Sequence, residues 1–223
     1  MCGRFTLRAS SDSLVGAFQI TDMPEIKARY NIAPTQMVLS VRSIFDIQEI
    51  KFLEWGLIPS WSNNISISGR LINARSETVL EKPAFREAFK RRRCLVLADG
   101  FYEWQQIGRR KQPYFFSMQD NRPFAFAGIW ERWKTEMGKV IESCAILTTD
   151  ANEIVRPVHE RMPVILHSED YELWLREDMR KYDLLRSLLK PYAASEMTSH
   201  SVSILINSPS HEGAALVEHL PVA

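Results

Sequence analysis

The chain has 223 residues, of which 45% are hydrophobic and 25% are charged, a balance typical of a folded globular protein that excludes a disordered chain. The 28 Lys and Arg residues nearly balance the 27 Asp and Glu residues, and a net charge of +1 excludes a uniformly basic nucleic-acid-binding protein. The three cysteines are widely spaced and there is no apolar run of about 18 residues, which disfavours a disulfide scaffold, a CxxC zinc site and a membrane span.

Short strands separated by a few helices are predicted along the chain. Segments rich in β-branched and aromatic residues predict strands at 38–41, 50–57, 71–74, 94–98, 114–118, 124–130, 143–148, 164–166 and 202–206. Capping residues and helical periodicity predict helices at 10–20, 84–91, 171–175 and 182–189. Turn residues at Asp120-Asn121 and at Gly108 predict two hairpins.

The order of these elements predicts the fold class. No repeat or linker-like run interrupts the chain, so we expect one domain spanning residues 1–223. Many strands with few helices predict an α+β domain with a curved, mainly antiparallel sheet or open β-barrel-like core and flanking helices. The first residues lack a basic segment followed by an apolar run, so we expect no secretory signal and a reducing, cytoplasmic location.

Cys2 is the first residue with distinctive chemistry. Removal of Met1 leaves a free amine and a thiol on adjacent carbons, a pair that condenses with an aldehyde to an imine and then closes a five-membered thiazolidine. An internal cysteine lacks this chemistry because its nitrogen is in a peptide bond. The alternative is an unremarkable residue near a frayed terminus, but the small Gly3 and the cationic Arg4 that follow favour a reactive site.

Glu103 lies between Tyr102 and Trp104 and is the candidate acid–base group. On a strand it points to the face opposite the two aromatic residues. A buried carboxyl has a raised pKa, which suits general acid–base catalysis near neutrality. A surface carboxylate on an edge strand fits the same segment equally well.

Asn73 and Arg75 share a face of an extended segment and are candidates for binding a sugar hydroxyl and a phosphate. The alternative is that Asn73 satisfies neighbouring backbone and Arg75 pairs with Glu77. His159 lies in a polar segment before an apolar run and is a candidate proton shuttle, although a lone histidine is more often structural.

The remaining signals concern aromatic, basic and sulfur side chains. Trp61 lies in a polar loop, where an exposed aromatic ring is able to stack on bases. Core packing suits four further tryptophans, at 55, 130, 133 and 174. The basic runs 90–93 and 109–111 are interpreted first as a solvated helix end and a hairpin tip, although either would attract a polyanion. Cys94 and Cys144 lie in apolar runs and are predicted to be inert core thiols.

Taken together, the motifs resemble a known family. They occur in a fixed order, as residues 1–5 (MCGRF), 29–34 (RYNIAP), 55–59 (WGLIP), 72–78 (INARSET), 98–104 (ADGFYEW) and 159–163 (HERMP). This ordered set resembles the SOS-response-associated peptidase (SRAP) family, the abasic-site processing proteins of the YedK and HMCES type. Family members often have two bulky residues where this chain has Trp61-Ser62.

The resemblance implies a specific activity, the SRAP fold and a set of site residues. Met1 is removed, by self-processing or by an aminopeptidase, and Cys2 crosslinks to the ring-opened aldehyde of an abasic site in single-stranded DNA. This lyase-type Schiff-base chemistry shields the lesion during the DNA damage response. By resemblance, Glu103 is the acid–base group, His159 promotes sugar opening and Asn73 orients the reacting amine. The resemblance places DNA contacts at Arg4, Asn31, Trp61, Arg75, Trp104, Thr149 and Arg161.

Two other function classes remain open at this point. An N-terminal-nucleophile hydrolase, such as a glutamine amidotransferase, also begins Met-Cys-Gly and uses Cys2 as its nucleophile. A plain nucleic-acid-binding module forms no covalent bond at all. For the abasic-site protein we expect a monomer whose partner is single-stranded DNA, without a membrane partner, metal or other cofactor.

Overall fold

The computed structural model describes residues 2–21 and 23–220. This part of the chain contains thirteen strands: β1 (Arg4–Leu7), β2 (Arg29–Ile32), β3 (Met37–Ile44), β4 (Ile47–Trp55), β5 (Asn73–Arg75), β6 (Arg93–Ala98), β7 (Gly100–Ile107), β8 (Arg110–Met118), β9 (Phe124–Lys134), β10 (Val140–Asp150), β11 (Arg161–Pro163), β12 (Ile165–Leu166) and β13 (Met197–Ser201). The α-helices are α1 (Ser11–Phe18), α2 (Arg86–Arg91), α3 (Tyr171–Leu175) and α4 (Tyr182–Ser187). Short 3₁₀ helices lie at Ile65–Arg70, Ser168–Asp170, Ala194–Glu196, Ile204–Asn207 and Ala214–Leu216.

Five strands form a closed barrel in the order β10-β4-β3-β6-β9, because β9 also pairs with β10. Four of the five pairings are antiparallel and β4 runs parallel to β10. Every residue of β6 is buried, as expected for a strand that contacts core on both faces. Gly128 permits this packing, since a Cβ there would lie 2.7 Å from the Cys94 Sγ.

A second sheet, with strand order β13-β8-β7-β1-β2, packs against the barrel through aromatic rings. Phe5 of β1 contacts Trp55 of β4 edge-on, with ring centroids 5.1 Å apart, and Phe126 of β9 at 5.6 Å. Phe101 of β7 also contacts Phe126. Each such pair adds about 1 kcal/mol beyond simple burial, so this contact fixes β1 and β7 relative to the barrel.

Two short strands extend the barrel at the carboxyl end of β10. β5 runs parallel to β10 with Ile146 opposite Asn73, and β11 runs antiparallel to it with Asp150 opposite Arg161. Residues from three distant parts of the sequence therefore meet at one end of the barrel, next to the start of β1.

The predicted fold class is confirmed: the protein is α+β, with a mainly antiparallel barrel and few helices. All four predicted helices are present, and Ser10 caps α1 by accepting a hydrogen bond from the Ser13 N–H. Strands β1, β2, β11 and β13 lie outside the predicted strand ranges, because they are short and their polar residues obscure the alternation. β7 also lies outside these ranges, although the predicted hairpin at Gly108 implies a strand before the turn. No helix in the described ranges is long and apolar enough to cross a membrane.

Two local predictions are wrong. Residues 202–206 are not a strand: Val202 and Ile206 are buried while Ile204 is exposed, because the chain turns into a 3₁₀ helix capped by Ser203. Asp120-Asn121 forms a turn but not a hairpin, since β8 belongs to the second sheet and β9 to the barrel. The hairpin at Gly108 is confirmed by the pairing of β7 with β8.

Candidate active site

Asp99 holds the beginning of the chain in place beside β7. Its carboxylate accepts hydrogen bonds from the Thr6 hydroxyl at 2.5 Å, the Ala9 N–H at 2.7 Å and the Arg8 N–H. β1 then pairs antiparallel with β7, with Phe5 opposite Phe101. This register brings the residues before β1 towards Glu103.

Cys2 is fully buried at this junction. The Asn73 amide donates a hydrogen bond of 2.8 Å to the Cys2 carbonyl oxygen, and the Cys2 thiol lies 3.7 Å from the Arg4 carbonyl oxygen. Burial, and then the nearby Glu103 carboxylate, raise the pKa of the Cys2 thiol well above its usual range. The structure thus brings together Cys2, Asn73 and Glu103, which lie far apart in the sequence.

Glu103 is a buried carboxyl, which agrees with its interpretation as an acid–base group and not with the alternative of a surface carboxylate. It is 2% exposed, and burial raises its pKa to about 7. The preceding Tyr102 packs on the opposite face against Phe115, and its hydroxyl donates to the Tyr30 carbonyl oxygen. Since a group with this pKa is present in both protonation states at neutral pH, Glu103 is equipped to give and to accept a proton.

His159 is half-buried and lies in the loop between β10 and β11. Its Nδ1 lies 3.2 Å from the Arg161 carbonyl oxygen and 3.0 Å from the Arg161 backbone nitrogen. Nδ1 therefore donates to the carbonyl in one neutral tautomer and accepts from the N–H in the other. Burial lowers the pKa of His159, so the neutral form is favoured at pH 7. Nε2 is a hydrogen-bond acceptor in the first tautomer and a donor in the second.

An open cavity of about 430 Å³ joins Glu103 and His159. It is lined by Glu103, Trp104, Lys111, His159 and Asn207. The Trp104 indole N–H donates to the Asn207 Oδ1 at 2.8 Å. Sequence reasoning missed Asn207 and treated Lys111 only as part of a hairpin tip, because neither residue has a local signal of its position in the fold.

A second cavity, also of about 430 Å³, lies on the Asn73 side of Cys2. Its lining is largely apolar and includes Trp61, Asn73, Arg75, Lys82 and Phe85. Trp61 is 61% exposed, as its loop position predicted. Cys2 is therefore linked to both cavities, to the first through Glu103 and to the second through Asn73.

The half-buried Arg4 and the buried Asn31 form hydrogen bonds with each other and with the backbone. Arg4 Nη1 donates to the Asn31 Oδ1 and to the Ile206 carbonyl oxygen, each at 2.6 Å, while Nη2 donates to the Asn207 carbonyl oxygen at 3.1 Å. Asn31 is fully buried, and its amide donates to the Ser208 carbonyl oxygen at 2.9 Å. These two residues tie the start of the chain to the segment that carries Asn207.

Arg161 is also held by the protein. Its guanidinium contacts Glu77 and Asp150, each at 2.7 Å, and donates to the Thr148 carbonyl oxygen at 2.7 Å. The alternative pairing of Glu77 with Arg75 is therefore wrong. Thr149 is buried and its hydroxyl donates to the Leu189 carbonyl oxygen at 3.2 Å, so in this structure it offers no polar group to a surface ligand.

The basic run 90–93 is only partly a solvated helix end. Arg93 is buried and donates to the backbone carbonyls of Trp174 and Phe89, and burial lowers its pKa to about 10. The tip formed by residues 109–111 is exposed, as expected. Cys94 and Cys144 are fully buried, which confirms their prediction as core thiols.

Comparison with known proteins gives a consistent result. Residues 1–209 match the family model described as SOS response associated peptidase (SRAP). The chain is 40% identical over 222 residues to abasic site processing protein YoaM of Bacillus subtilis, covering 98% of each chain. It is also 40% identical over 222 residues to abasic site processing protein YoqW of Bacillus subtilis, covering 98% of this chain and 99% of the relative.

The fold is similar to that of a solved structure as well. A crystal structure of a protein from Bacteroides thetaiotaomicron aligns with a TM-score of 0.88 at 28% sequence identity, covering 99% of this chain and all of that one. The similarity thus extends over nearly all of the chain, including every segment that contributes to the two cavities.

Proposed function

The chain belongs to the SOS response associated peptidase (SRAP) family, and from this premise we propose that it captures abasic sites in single-stranded DNA as a covalent adduct of Cys2. Abasic-site processing is the activity that family membership supports. The covalent mechanism is supported by the surroundings of Cys2. A single observation carries it: the second residue of the chain is held by Asn73 beside a carboxyl with a pKa of about 7.

The reacting group is the amine–thiol pair that loss of Met1 creates on Cys2. Met1 lies outside the described residues, so its removal stays a prediction. The free amine adds to the sugar aldehyde and water leaves, which gives an imine. The thiol then adds across the C=N bond, its proton ends on nitrogen, and the product is a thiazolidine plus one water.

Glu103 supplies and removes protons during this sequence. An abasic sugar is mainly a closed ring, and opening it requires a proton on the ring oxygen and removal of the hydroxyl proton at the anomeric carbon. The protonated form of Glu103 serves as the acid and its carboxylate as the base. His159 lines the same cavity, and in the tautomer whose Nδ1 accepts from the Arg161 N–H its Nε2–H is suited to donate a hydrogen bond to a sugar oxygen.

The raised pKa of the thiol determines the order of the steps. Burial leaves little thiolate at neutral pH, so sulfur is a poor first nucleophile. The amine therefore reacts first, and the thiol closes the ring when Glu103 accepts its proton. Asn73 restrains the Cys2 carbonyl and so limits the positions from which the amine approaches the aldehyde.

DNA binding is assigned to the exposed residues around the second cavity. Trp61 is suited to stack on a base, and the exposed Arg75 is suited to bind a phosphate. A single strand fits such a site because its bases are free to splay onto an aromatic ring. Arg4 and Asn31 contribute by hydrogen bonds that hold the start of the chain in place. Trp104 borders the first cavity, which is lined by Glu103, Trp104, Lys111, His159 and Asn207 and is named the lesion cavity from here on.

The test uses protein whose start at Cys2 has been confirmed by intact mass spectrometry. Incubation with an abasic single-stranded oligonucleotide is expected to give an adduct that survives boiling in detergent. Its mass should equal protein plus oligonucleotide minus one water. Clean separation of the two on a denaturing gel would overturn the proposal. Release of ammonia from glutamine by the same sample would instead indicate the amidotransferase-type chemistry.

A further inference from the structure

The cavity lined by Glu103 and His159 also carries a cation, Lys111, that the proposed mechanism does not use. The β7–β8 hairpin turns at Gly108, whose φ is +58°, and its register places Lys111 opposite Gln106. Lys111 lines the cavity that also contains Glu103 and His159. The basic tip of the hairpin therefore lies next to the cavity in which the sugar would react.

The base of the hairpin is held firmly on two sides. Gln105 donates to the Pro157 carbonyl oxygen at 3.0 Å, which ties β7 to the loop that carries His159. Trp104 donates to Asn207, which ties the same strand to the segment after β13. Each of these bonds joins residues that are more than fifty positions apart in the sequence. Lys111 is thus presented at a fixed position relative to the cavity.

The positive charge at this tip is available to a ligand. Arg109, Arg110 and Lys111 are exposed, and among the described residues none of them forms an ion pair. By contrast, the guanidinium groups of Arg4 and Arg161 already bind carbonyl or carboxylate oxygens of the protein. A phosphate beside this cavity therefore meets Lys111 without displacing an existing partner.

The second cavity supplies the matching cations on the other side of Cys2. Arg75 and Lys82 line it together with the exposed Trp61. Any nucleotide held at Cys2 within a strand has a phosphate on each side, and each phosphate gains from a nearby cation. The two cavities provide one set of cations for each direction in which the strand leaves the lesion.

We propose that Lys111, at the β7–β8 hairpin, binds the DNA backbone on the side of the lesion opposite to Trp61 and Arg75. The strand then runs from one cavity to the other past Cys2. This inference rests on the proposed function, because it takes the nucleotide at Cys2 as the fixed point of the path. It adds a binding residue and a direction to that function.

The first experiment separates binding from chemistry. The probe is single-stranded DNA with a tetrahydrofuran analogue of the abasic site, which cannot open to an aldehyde. Lys111→Ala is expected to weaken binding about fivefold at low salt and to reduce the slope of log K against log salt by about 0.7 between about 50 and about 200 mM. Lys139→Ala is the matched control, since it removes an exposed lysine beyond the amino end of β10, the end away from β5 and β11.

The second experiment tests the direction of the strand. Two oligonucleotides carry the analogue at their 3′ end or at their 5′ end, so that DNA is present on only one side. Lys111→Ala should weaken binding to one of them and Arg75→Ala should weaken binding to the other. If both variants affect the same oligonucleotide, the two-sided path is wrong.

Remaining outcomes distinguish this inference from the proposed function. If Lys111→Ala binds like the wild type and Lys139→Ala, with an unchanged salt slope, the hairpin contact is wrong while covalent capture still stands. If Lys111→Ala slows adduct formation at saturating DNA without changing affinity, Lys111 acts on the chemistry and the inference fails. If binding shows the expected slope but authentic abasic DNA gives no adduct, the hairpin contact holds and covalent capture fails.

Discussion

The barrel wall and the start of the chain both contain buried cysteines, and they differ in what surrounds the sulfur. Cys94 and Cys144 lie in β6 and β10, whereas Cys2 lies just before β1, yet all three side chains are fully buried. Burial raises the pKa of all three thiols. Thiol acidity therefore does not distinguish Cys2, which we propose is reactive, from the two core cysteines.

Charged groups lie near all three thiols: Arg42 near Cys94, Glu54 near Cys144 and Glu103 near Cys2. The difference is that Glu103 is buried whereas Glu54 is half-buried, and that Asn73 bonds the Cys2 carbonyl. Cys94 packs against Gly128 in the apolar barrel, and the Cys144 carbonyl accepts from the Gly56 N–H as part of the backbone network. Cys2 has the Asn73 amide on its carbonyl and the Glu103 carboxyl near its thiol. Reactivity in this protein is thus expected to follow from chain position and from proton-transfer partners, and the predictions below test that difference.

The largest expected effect is loss of the adduct in Cys2→Ala. Without sulfur the imine cannot close to a thiazolidine, so no adduct should survive boiling in detergent. The remaining amine should still be trapped when borohydride is added, because reduction makes the imine permanent. Cys94→Ala is the barrel control and should retain the wild-type yield on the same gel. A boiling-stable adduct from Cys2→Ala without borohydride would contradict the mechanism.

Glu103→Gln should slow adduct formation by about 100-fold at pH 7, the lower range for loss of a general acid–base group. The wild-type rate should show an ionisation near the Glu103 pKa of about 7, and this feature should vanish in the variant. Rates measured by quenched gels across pH give both results. Binding of tetrahydrofuran-containing DNA is the control and should change less than about twofold. Equal losses in binding and rate would assign Glu103 a structural role.

The Glu103 carboxyl should also lower the free energy of unfolding as the pH rises. The folded state holds the Glu103 proton more tightly than the unfolded chain, because its pKa rises from 4.5 to about 7. Wild-type stability therefore falls as pH rises through this interval, by about 3 kcal/mol in all. Glu103→Gln removes this pH dependence, so its stability relative to the wild type should increase between pH 4.5 and about pH 7 in urea unfolding.

Glu77→Gln provides a control of opposite sign for that measurement. Burial raises the pKa of Glu77, but hydrogen bonding and charge from Arg161 outweigh it and the net pKa is lowered. The carboxylate therefore stabilises the folded state above its ordinary pKa, and this contribution is lost as pH falls. Glu77→Gln should be less stable than the wild type at neutral pH, and the gap should close in acid. A common trend in both variants would contradict the assignment.

The smallest effect is expected for Asn73→Ala. Loss of the hydrogen bond to the Cys2 carbonyl frees the reacting residue, and one such bond corresponds to about tenfold in rate. Single-turnover adduct formation at saturating DNA measures this change. Asn64→Ala is the matched control, because Asn64 caps a surface turn by accepting from the Ser66 N–H. An unchanged rate for Asn73→Ala would remove Asn73 from the positioning of Cys2.

Much of the site follows from local sequence. The strand pattern around Glu103 predicts that Glu103 and Tyr102 lie on opposite faces of the strand. If Glu103 is buried, a raised pKa follows. Polar residues around Trp61 predict its exposure. These predictions succeed because alternation and loop composition are properties of a few adjacent residues.

Other features depend on pairings between distant segments. The family resemblance implies DNA contacts at Arg161 and Thr149, but the structure buries Thr149 and holds Arg161 with the carboxylates of Glu77 and Asp150. Asn207 enters the lesion cavity because residues 202–206 form a 3₁₀ turn instead of a strand. Local patterns contain no information about which partner a polar side chain meets.

The sequence by itself determined the candidate reactive group, since loss of Met1 would leave an amine and a thiol together on Cys2 and on neither of the other cysteines. It also determined the α+β class, through period-two apolar patterns and short helical segments. Only the tertiary structure decided which acid serves that cysteine and which cations are available to DNA. Long-range strand pairing brings Asn73 within hydrogen-bond distance of the Cys2 carbonyl and the Glu103 carboxyl near the Cys2 thiol.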